Sequence, residues 1–546
     1  MKKLIKNSGY FLLMWLSLTV VISTILFFFN ISITCINLFI SFIISAVLSY
    51  LFNDKDKSFL LKVVSLSTII IVLSIIISTF MFDRSSDGNT YHKDAIGVLK
   101  EGFNPIYQSS FDFIEKRDDD DGKLTNYSIW IDHYAKANWI IAANIYSLTN
   151  NIESGKAMNI ISIYIVFSIL FGNLLEIFNT KKALLLSLIV AINPITASQM
   201  FTYYNDQLVY LFLILSIFFL IKLDSNINDK KSWFYYFLTF TVLANTKFNG
   251  LGYLLVFSFL FVCKYLYQAY KNNSFLKIFK KLCLIFISLF ITALFVVGYP
   301  TYIKNTIDHH NPFFPLYDKN GEDIITAQEP KSFITMNNLE KLFYATFSKA
   351  NNLRENDNTD LKLPFTIYKS EIIPAMSNDL RISGWGIFYS GLLLCSIIIF
   401  IKYYNKYKKE NFIIYTLAIT ILLLLIMSES WWARYTPHFY LFIILSLYII
   451  FKYGKNKIIA TIYTALILIN TLIPLMGNSY YTLKNSIKIR NDLNSLSNKE
   501  IKLNVNGMNG IIYNLKDYHV IYHITEEKQN QELYYHYLNY QGEEHE

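Results

Sequence analysis

Apolar residues in this chain come in unbroken blocks rather than at the three-to-four-residue spacing of a soluble amphipathic helix, and polar residues collect in short clusters between the blocks. A helix needs about 20 predominantly apolar residues to cross roughly 30 Å of hydrocarbon. Blocks that approach or exceed this length run over 9–29, 31–52, 59–82, 157–178, 183–200, 207–223, 233–246, 251–267, 282–299, 385–403, 412–427, 436–451 and 458–475. The pattern predicts an all-α polytopic bundle of about thirteen transmembrane helices. A shorter apolar stretch, 138–149, suits a helix lying in the outer membrane interface. The polar, Tyr-rich tail carries alternating runs at 510–515 and 519–524 that read as strands of a small α/β lobe. Three regions follow: 1–58 with two leading transmembrane helices, 59–476 with outer loops 83–156 and 301–384, and a C-terminal domain at 477–546.

Charge placement orients these blocks. Lys2, Lys3 and Lys6, Lys55 and Lys57, Lys181 and Lys182, Lys230 and Lys231, and the lysines of 271–281, 402–409 and 452–457 all fall in alternate connections. The short connections on the opposite side hold only Lys247 and Arg434. Because Lys and Arg stay cytoplasmic, the expected placement is a multi-pass plasma-membrane protein with its N-terminus inside. Segments 83–156 and 301–384 and the tail after 476 are then extracytoplasmic. The net charge of +9 is thus a topology signal, and nucleic acid is not an expected partner. The leading MKKLIKN and its apolar run lack a small-x-small cleavage site and read as a first anchor. Cys35, Cys263, Cys283 and Cys395 lie in or beside spans, so neither a disulfide framework nor a thiolate metal site is expected.

The third block ends in FDRSSDGNTYHKDAIGVLKEGFNP. Carboxylates at a membrane lip lose part of their hydration, which is costly unless something pairs or uses them. The acidic run RDDDDGKLTNY at 117–127 resembles a calcium loop, but Arg117 stands where the first acidic ligand belongs and Ser128 where the closing glutamate belongs. It reads as a solvated loop. The chain has no phosphate-binding Gly-x-x-x-x-Gly-Lys stretch, dinucleotide fingerprint, nucleophile elbow or zinc-binding His-Glu-x-x-His helix.

What remains is a set of acids and bases predicted to share one face. The first outer loop supplies Asp83, Asp87, Tyr91, His92 and Asp94, and later connections supply Asp206, Lys247, His309, His310 and Arg434. A carboxylate base and fixed cations beside helices that shelter a lipid tail suit group transfer from a lipid phosphate carrier. Lys247 and Arg434 would neutralise the leaving phosphate. Nucleotide sugars are not expected outside the cytoplasm, so the donor would be a polyprenyl-phosphate sugar. Each residue also has a structural reading. Asp83 could cap its helix or pair with Arg84, His92 could be an interface histidine beside Tyr91, and Lys247 could snorkel. Arg434 could stack between Trp432 and Tyr435, and His309 and His310 precede a stiff Asn-Pro-Phe-Phe-Pro turn. The cofactor is left open: Asp206 beside Asn205 is a thin oxygen shell for Mg²⁺ or Mn²⁺, and no metal ligand is assigned.

Asp87, Tyr91, Ala95, Leu99 and Gly102, followed by Asn104 and Pro105, stand at the spacing of an Asp-Glu-x-x-Tyr-x-x-x-Ala-x-x-x-Leu-x-x-Gly pattern. With Thr246–Leu251 (TKFNGL), Trp431–Tyr435 (WWARY) and Asn193-Pro194 ahead of Tyr204-Asn205-Asp206, the chain resembles the GT-C superfamily of integral membrane glycosyltransferases. That superfamily includes aminoarabinose transferases, protein mannosyltransferases and oligosaccharyltransferases. The resemblance covers about 59–475 and leaves two extra spans ahead of it. It implies a GT-C-like bundle and inverting transfer of a hexose or pentose to a glycan, lipid or protein acceptor of the cell envelope. Asp87 would be the base, with Asp83 and His92 beside it; Tyr91, Asp206, Lys247, His309, His310 and Arg434 would bind substrate. Gly88 replaces the pattern's frequent glutamate. A polysaccharide polymerase or O-antigen-type ligase is the competing reading, expected to depend on Arg354 and Arg381 in the 301–384 loop. A lipid-linked glycan transporter is a third, expected to show internal repeats and mid-membrane charges.

Overall fold

The computed structural model describes residues 1–117, 124–316, 328–352, 359–527, 529–533 and 538–542. Most of the acidic 117–127 run, and Arg354, lie outside the described residues. The chain is mostly helical, with a small four-stranded sheet near its C-terminus. Among the described residues seven helices are long and apolar enough to cross a membrane: Lys2–Phe28, Lys57–Phe80, Ile152–Leu174, Asp206–Ser225, Phe248–Lys271, Phe275–Val297 and Lys457–Leu496. Ile36–Phe52, Asn411–Ile426 and Pro437–Tyr453 are apolar but shorter. These helices mark a membrane protein, and Leu61, Ile69, Leu73 and Ile76 of Lys57–Phe80 are left exposed, as a lipid-facing stripe requires.

Several predicted blocks take a different form. The stretch 183–200 is broken into Thr180–Ala191 and Pro194–Gln199, because Pro194 cannot continue the preceding helix and Asn193 caps the next one through the Thr196 amide at 2.8 Å. The helix beginning at Lys457 runs 40 residues to Leu496. At 1.5 Å per residue that is about 60 Å, twice a hydrocarbon core, so the region predicted as tail from 477 starts as helix, and the lobe follows its end.

The helix Ala137–Thr149, predicted to lie in the interface, is buried from Ala137 to Tyr146. Trp139, Ile140, Ile141 and Ile145 are buried along with Asn138 and Asn144, whose amides donate to Asn205 Oδ1 at 2.6 Å and Ser23 Oγ at 3.0 Å, so protein covers this helix. In the lobe, β1 (Glu500–Asn504), β2 (Ile521–Ile524), β3 (Gln531–Leu533) and β4 (Leu538–Gly542) form a sheet in the order β2-β1-β4-β3. β1 and β2 are parallel, with Glu500 opposite Ile521. Parallel neighbours need a crossover, and the predicted strand at 510–515 is instead that crossover, helix Ile512–Asp517.

Candidate active site

Asp87 stands at the N-terminal edge of a single π-turn, Gly88–His92, that runs directly into helix Lys93–Glu101. The preceding loop is fastened from inside. Asp83 is fully buried, and its carboxylate accepts the Ser85 amide at 2.7 Å and the Tyr203 amide at 2.9 Å. The Asn89 side chain donates to the carbonyls of Asp83 and Ser85 at 3.0 and 2.8 Å. A Cβ on Gly88 would lie 2.0 Å from Asp83 Oδ2 and 2.3 Å from Ser85 Oγ, so the fastening leaves no room for a side chain where the resembled pattern has glutamate.

Three other segments converge on this turn. Asp206 opens helix Asp206–Ser225, and Lys247 immediately precedes Phe248–Lys271. Arg434 lies in the turns leading to the short helix at Pro437. Its guanidinium is shared among three carboxylates: Nε to Asp206 Oδ2 at 2.9 Å, Nη2 to Asp87 Oδ2 at 3.0 Å and Nη1 to Asp379 Oδ2 at 3.2 Å. Lys247 Nζ reaches the other Asp206 oxygen at 2.7 Å. The guanidinium sits 4.1 Å from the Tyr204 ring centroid, closer than to Trp432 at 5.3 Å or Tyr435 at 5.8 Å, and Lys247 lies 4.2 Å from the Tyr435 ring. Burial opposes the charge on Arg434, yet the surrounding carboxylates hold its pKa well above the ordinary arginine value.

Asp87, Tyr91, His92, Trp130, Lys247 and Arg434 are among the walls of a cavity of about 260 Å³. A second cavity, about 510 Å³, shares Tyr134, Lys247 and Tyr435 with the first and continues along Leu251, Leu255, Val256, Phe313, Leu423 and Ile426. The first is polar with aromatic sides and the second is an apolar groove; Lys247 stands where they meet. Asp87 is the carboxylate most open to the polar chamber, its side chain 33% exposed against 0% for Asp206.

His92 is fixed in one tautomer. Trp139 Nε1 donates to its Nδ1 at 2.7 Å, which leaves Nε2 as the protonated nitrogen. Burial lowers its pKa to about 4, so the imidazole is a neutral donor at pH 7. Burial likewise pushes the Asp83 carboxyl up, opposed by Lys93 and Lys156.

The structure therefore brings Asp87, Tyr91, His92, Lys247 and Arg434 to one chamber, with Asp206 directly behind the two cations. Asp83 lines neither cavity; both its oxygens hold backbone amides, which makes it a positioning residue. His309 stacks on Phe314 at 3.7 Å, and the exposed His310 takes a left-handed φ of 55° that ends its helix; neither lines either cavity. Asn205 and Asp206 do not suit a divalent cation. Asn205 Oδ1 accepts the Asn138 amide at 2.6 Å, and Lys247 and Arg434 take both Asp206 oxygens. Asp379 is a participant that the sequence reading missed, although it sits in the polar run SNDLR just ahead of an apolar block, the same lip position that singled out Asp87. Tyr204 enters that reading only as a neighbour of Asp206, with no role of its own, whereas its ring lies against the Arg434 guanidinium. Comparison with protein-family models, curated proteins and solved structures finds no match for this chain.

Proposed function

We propose that this protein is an inverting glycosyltransferase of GT-C-like architecture, with about thirteen membrane helices. It moves a sugar from a polyprenyl-phosphate carrier to a glycan, lipid or protein acceptor on the outer side of the plasma membrane. The observation that carries this reading is the pairing of the two cavities. A chamber holding a carboxylate and a guanidinium 3.0 Å apart opens onto an apolar groove, with a lysine at the junction. That geometry matches a ligand with a sugar at one end, a phosphate in the middle and a hydrocarbon tail.

In the transfer, Asp87 takes the proton of an acceptor hydroxyl as its oxygen attacks the anomeric carbon. The bond from that carbon to the phosphate oxygen breaks, and its electron pair leaves on the carrier phosphate, beside Arg434 and Lys247. Asp206, Asp87 and Asp379 between them engage the Lys247 ammonium and all three guanidinium nitrogens of Arg434. An arriving phosphate competes with the most exposed carboxylate, Asp87, for Nη2 of Arg434. Donor binding thereby frees the base, and the enzyme would bind its donor before its acceptor.

The deciding experiment is transfer from radiolabelled polyprenyl-phosphate sugars by reconstituted wild-type and Asp87→Asn protein. Loss of a general base is expected to slow transfer at least about a hundredfold; equal rates would remove Asp87 from the mechanism. One observation favours the polymerase or ligase reading: Asp379, from the 301–384 segment, touches Arg434, and Arg381 lies 5.4 Å from the Trp432 ring. On that reading Arg381→Ala abolishes transfer to a lipid-linked glycan acceptor while transfer to water is kept.

A further inference from the structure

The C-terminal lobe lies against the turn that carries Asp87, and it does so through buried charge. Lys93, in the first turn after the π-turn, is fully buried; its ammonium donates to Asn89 Oδ1 at 2.9 Å, to Glu153 Oε1 at 2.5 Å and to Asn514 Oδ1 at 2.8 Å. Asn514, from the crossover helix of the lobe, donates in return to Glu153 Oε1 at 2.9 Å. Glu153 also accepts from Lys156 and from the Asp83 amide, the latter at 3.0 Å. One connected network thus runs from the lobe through Lys93 and Asn89 into the backbone of Asp83 and Ser85, at the root of Asp87.

Close packing repeats the message. A Cβ on Gly510 would lie 2.6 Å from Lys93 Cβ and 2.9 Å from the Asn89 carbonyl, and a Cβ on Gly97 would run into the Tyr513 ring at 1.9 Å. A second tie reaches another residue of the chamber wall. Tyr127, which lines it, donates its hydroxyl to the Gly507 carbonyl at 2.7 Å. At the far edge, Asp517 accepts the Tyr146 hydroxyl at 2.7 Å and the Ile152 amide at 2.6 Å.

We infer that the C-terminal lobe is a positioning element of the active site, which holds the Asp87 turn and the Tyr127 wall in working register through Asn514, Lys93 and Glu153. The inference rests on the reading of Asp87 as the base. Buried ion pairs add little net stability over apolar residues of equal size, whereas their directional bonds specify one register. A catalytic group displaced by about 1 Å can lose on the order of a hundredfold in rate. The lobe need not touch substrate to govern turnover.

The test uses the full-length protein in lipid nanodiscs, with Asn514→Leu to cut the network and Gly510→Ala to wedge the lobe outward. Each variant is expected to lower kcat about tenfold or more, with the KM for donor within about threefold of wild type. Amide exchange is expected to quicken over residues 85–93 while the spans Lys2–Phe28 and Asp206–Ser225 keep their protection. Were Asn514→Leu to misfold, Gly510→Ala would decide alone. Wild-type kcat together with wild-type exchange at 85–93 would overturn the proposal, as would a loss confined to donor KM. An Asp87→Asn protein that still transfers sugar would defeat the base assignment instead, and the exchange measurement would still report whether the lobe holds the turn.

Discussion

Replacing Arg434 with lysine keeps the charge and removes the fork. The three guanidinium nitrogens reach Asp206, Asp87 and Asp379 at 2.9, 3.0 and 3.2 Å. A single ammonium on a flexible stem can serve Asp206, the buried partner, and must abandon the other two directions. A hydrogen bond to a charged group contributes roughly 1.5–3 kcal/mol. The two lost contacts are partly solvated, with Asp87 33% and Asp379 21% exposed, so each is discounted by about half for screening. The net loss is then about 1.5–3 kcal/mol, or roughly 10- to 150-fold in kcat/KM for a phosphate that uses the same two nitrogens. The assay is transfer from a labelled polyprenyl-phosphate sugar in nanodiscs across a range of donor concentrations, with thermal unfolding as a control for integrity. The larger part of the loss is expected in donor KM. An Arg434→Lys protein with kcat/KM within about threefold of wild type would show that the fork does not grip the phosphate, and the donor-gated release of Asp87 would fall with it.

Two further outcomes follow from the same geometry. Asp379→Asn weakens the hold on Nη1 of Arg434, so donor KM is expected to fall about three- to tenfold, in keeping with roughly 1 kcal/mol for a partly exposed pair; a rise in donor KM would contradict competition for that nitrogen. For His92 the folded-state pKa of about 4 lies below the ordinary value of 6.5, so the unfolded chain binds the proton first. Its contribution is complete above pH 6.5 and is lost as pH falls through about 4, to a total of about 3 kcal/mol. Unfolding temperatures in detergent between pH 7.5 and 4.5 should therefore drop more steeply for wild type than for His92→Gln, and parallel curves would contradict the assignment.

Much of the bundle and part of the site could be read from local pattern. A segment that crosses lipid must satisfy its backbone internally and present apolar side chains throughout, so its length and composition are written in one continuous stretch. Lys247 and Arg434 stood out for a related reason: they are cations where the other short connections of that side have none, and both proved to share Asp206. The helix Ala137–Thr149 shows the limit of this logic, since an apolar surface looks the same whether it meets lipid or protein. The stretch 510–515 failed for a similar reason, because helix there follows from the parallel pairing of β1 with β2, a relation between distant residues.

The two aspartates at the lip make the division sharpest. Asp83 and Asp87 lie four positions apart, in the same polar run at the end of the same apolar block, and only the spacing of Asp87 to Tyr91, Ala95 and Leu99 distinguishes them locally. They part because the amide of Tyr203, 120 residues away, arrives at Asp83, while the guanidinium of Arg434, 347 residues away, arrives at Asp87. One carboxylate is satisfied by backbone and withdrawn from solvent; the other is held by a side chain that a phosphate can compete for. Composition could say that charge collects at that lip, because hydration is lost residue by residue. Which charge faces the chamber depends on partners brought there by the packing of separate helices.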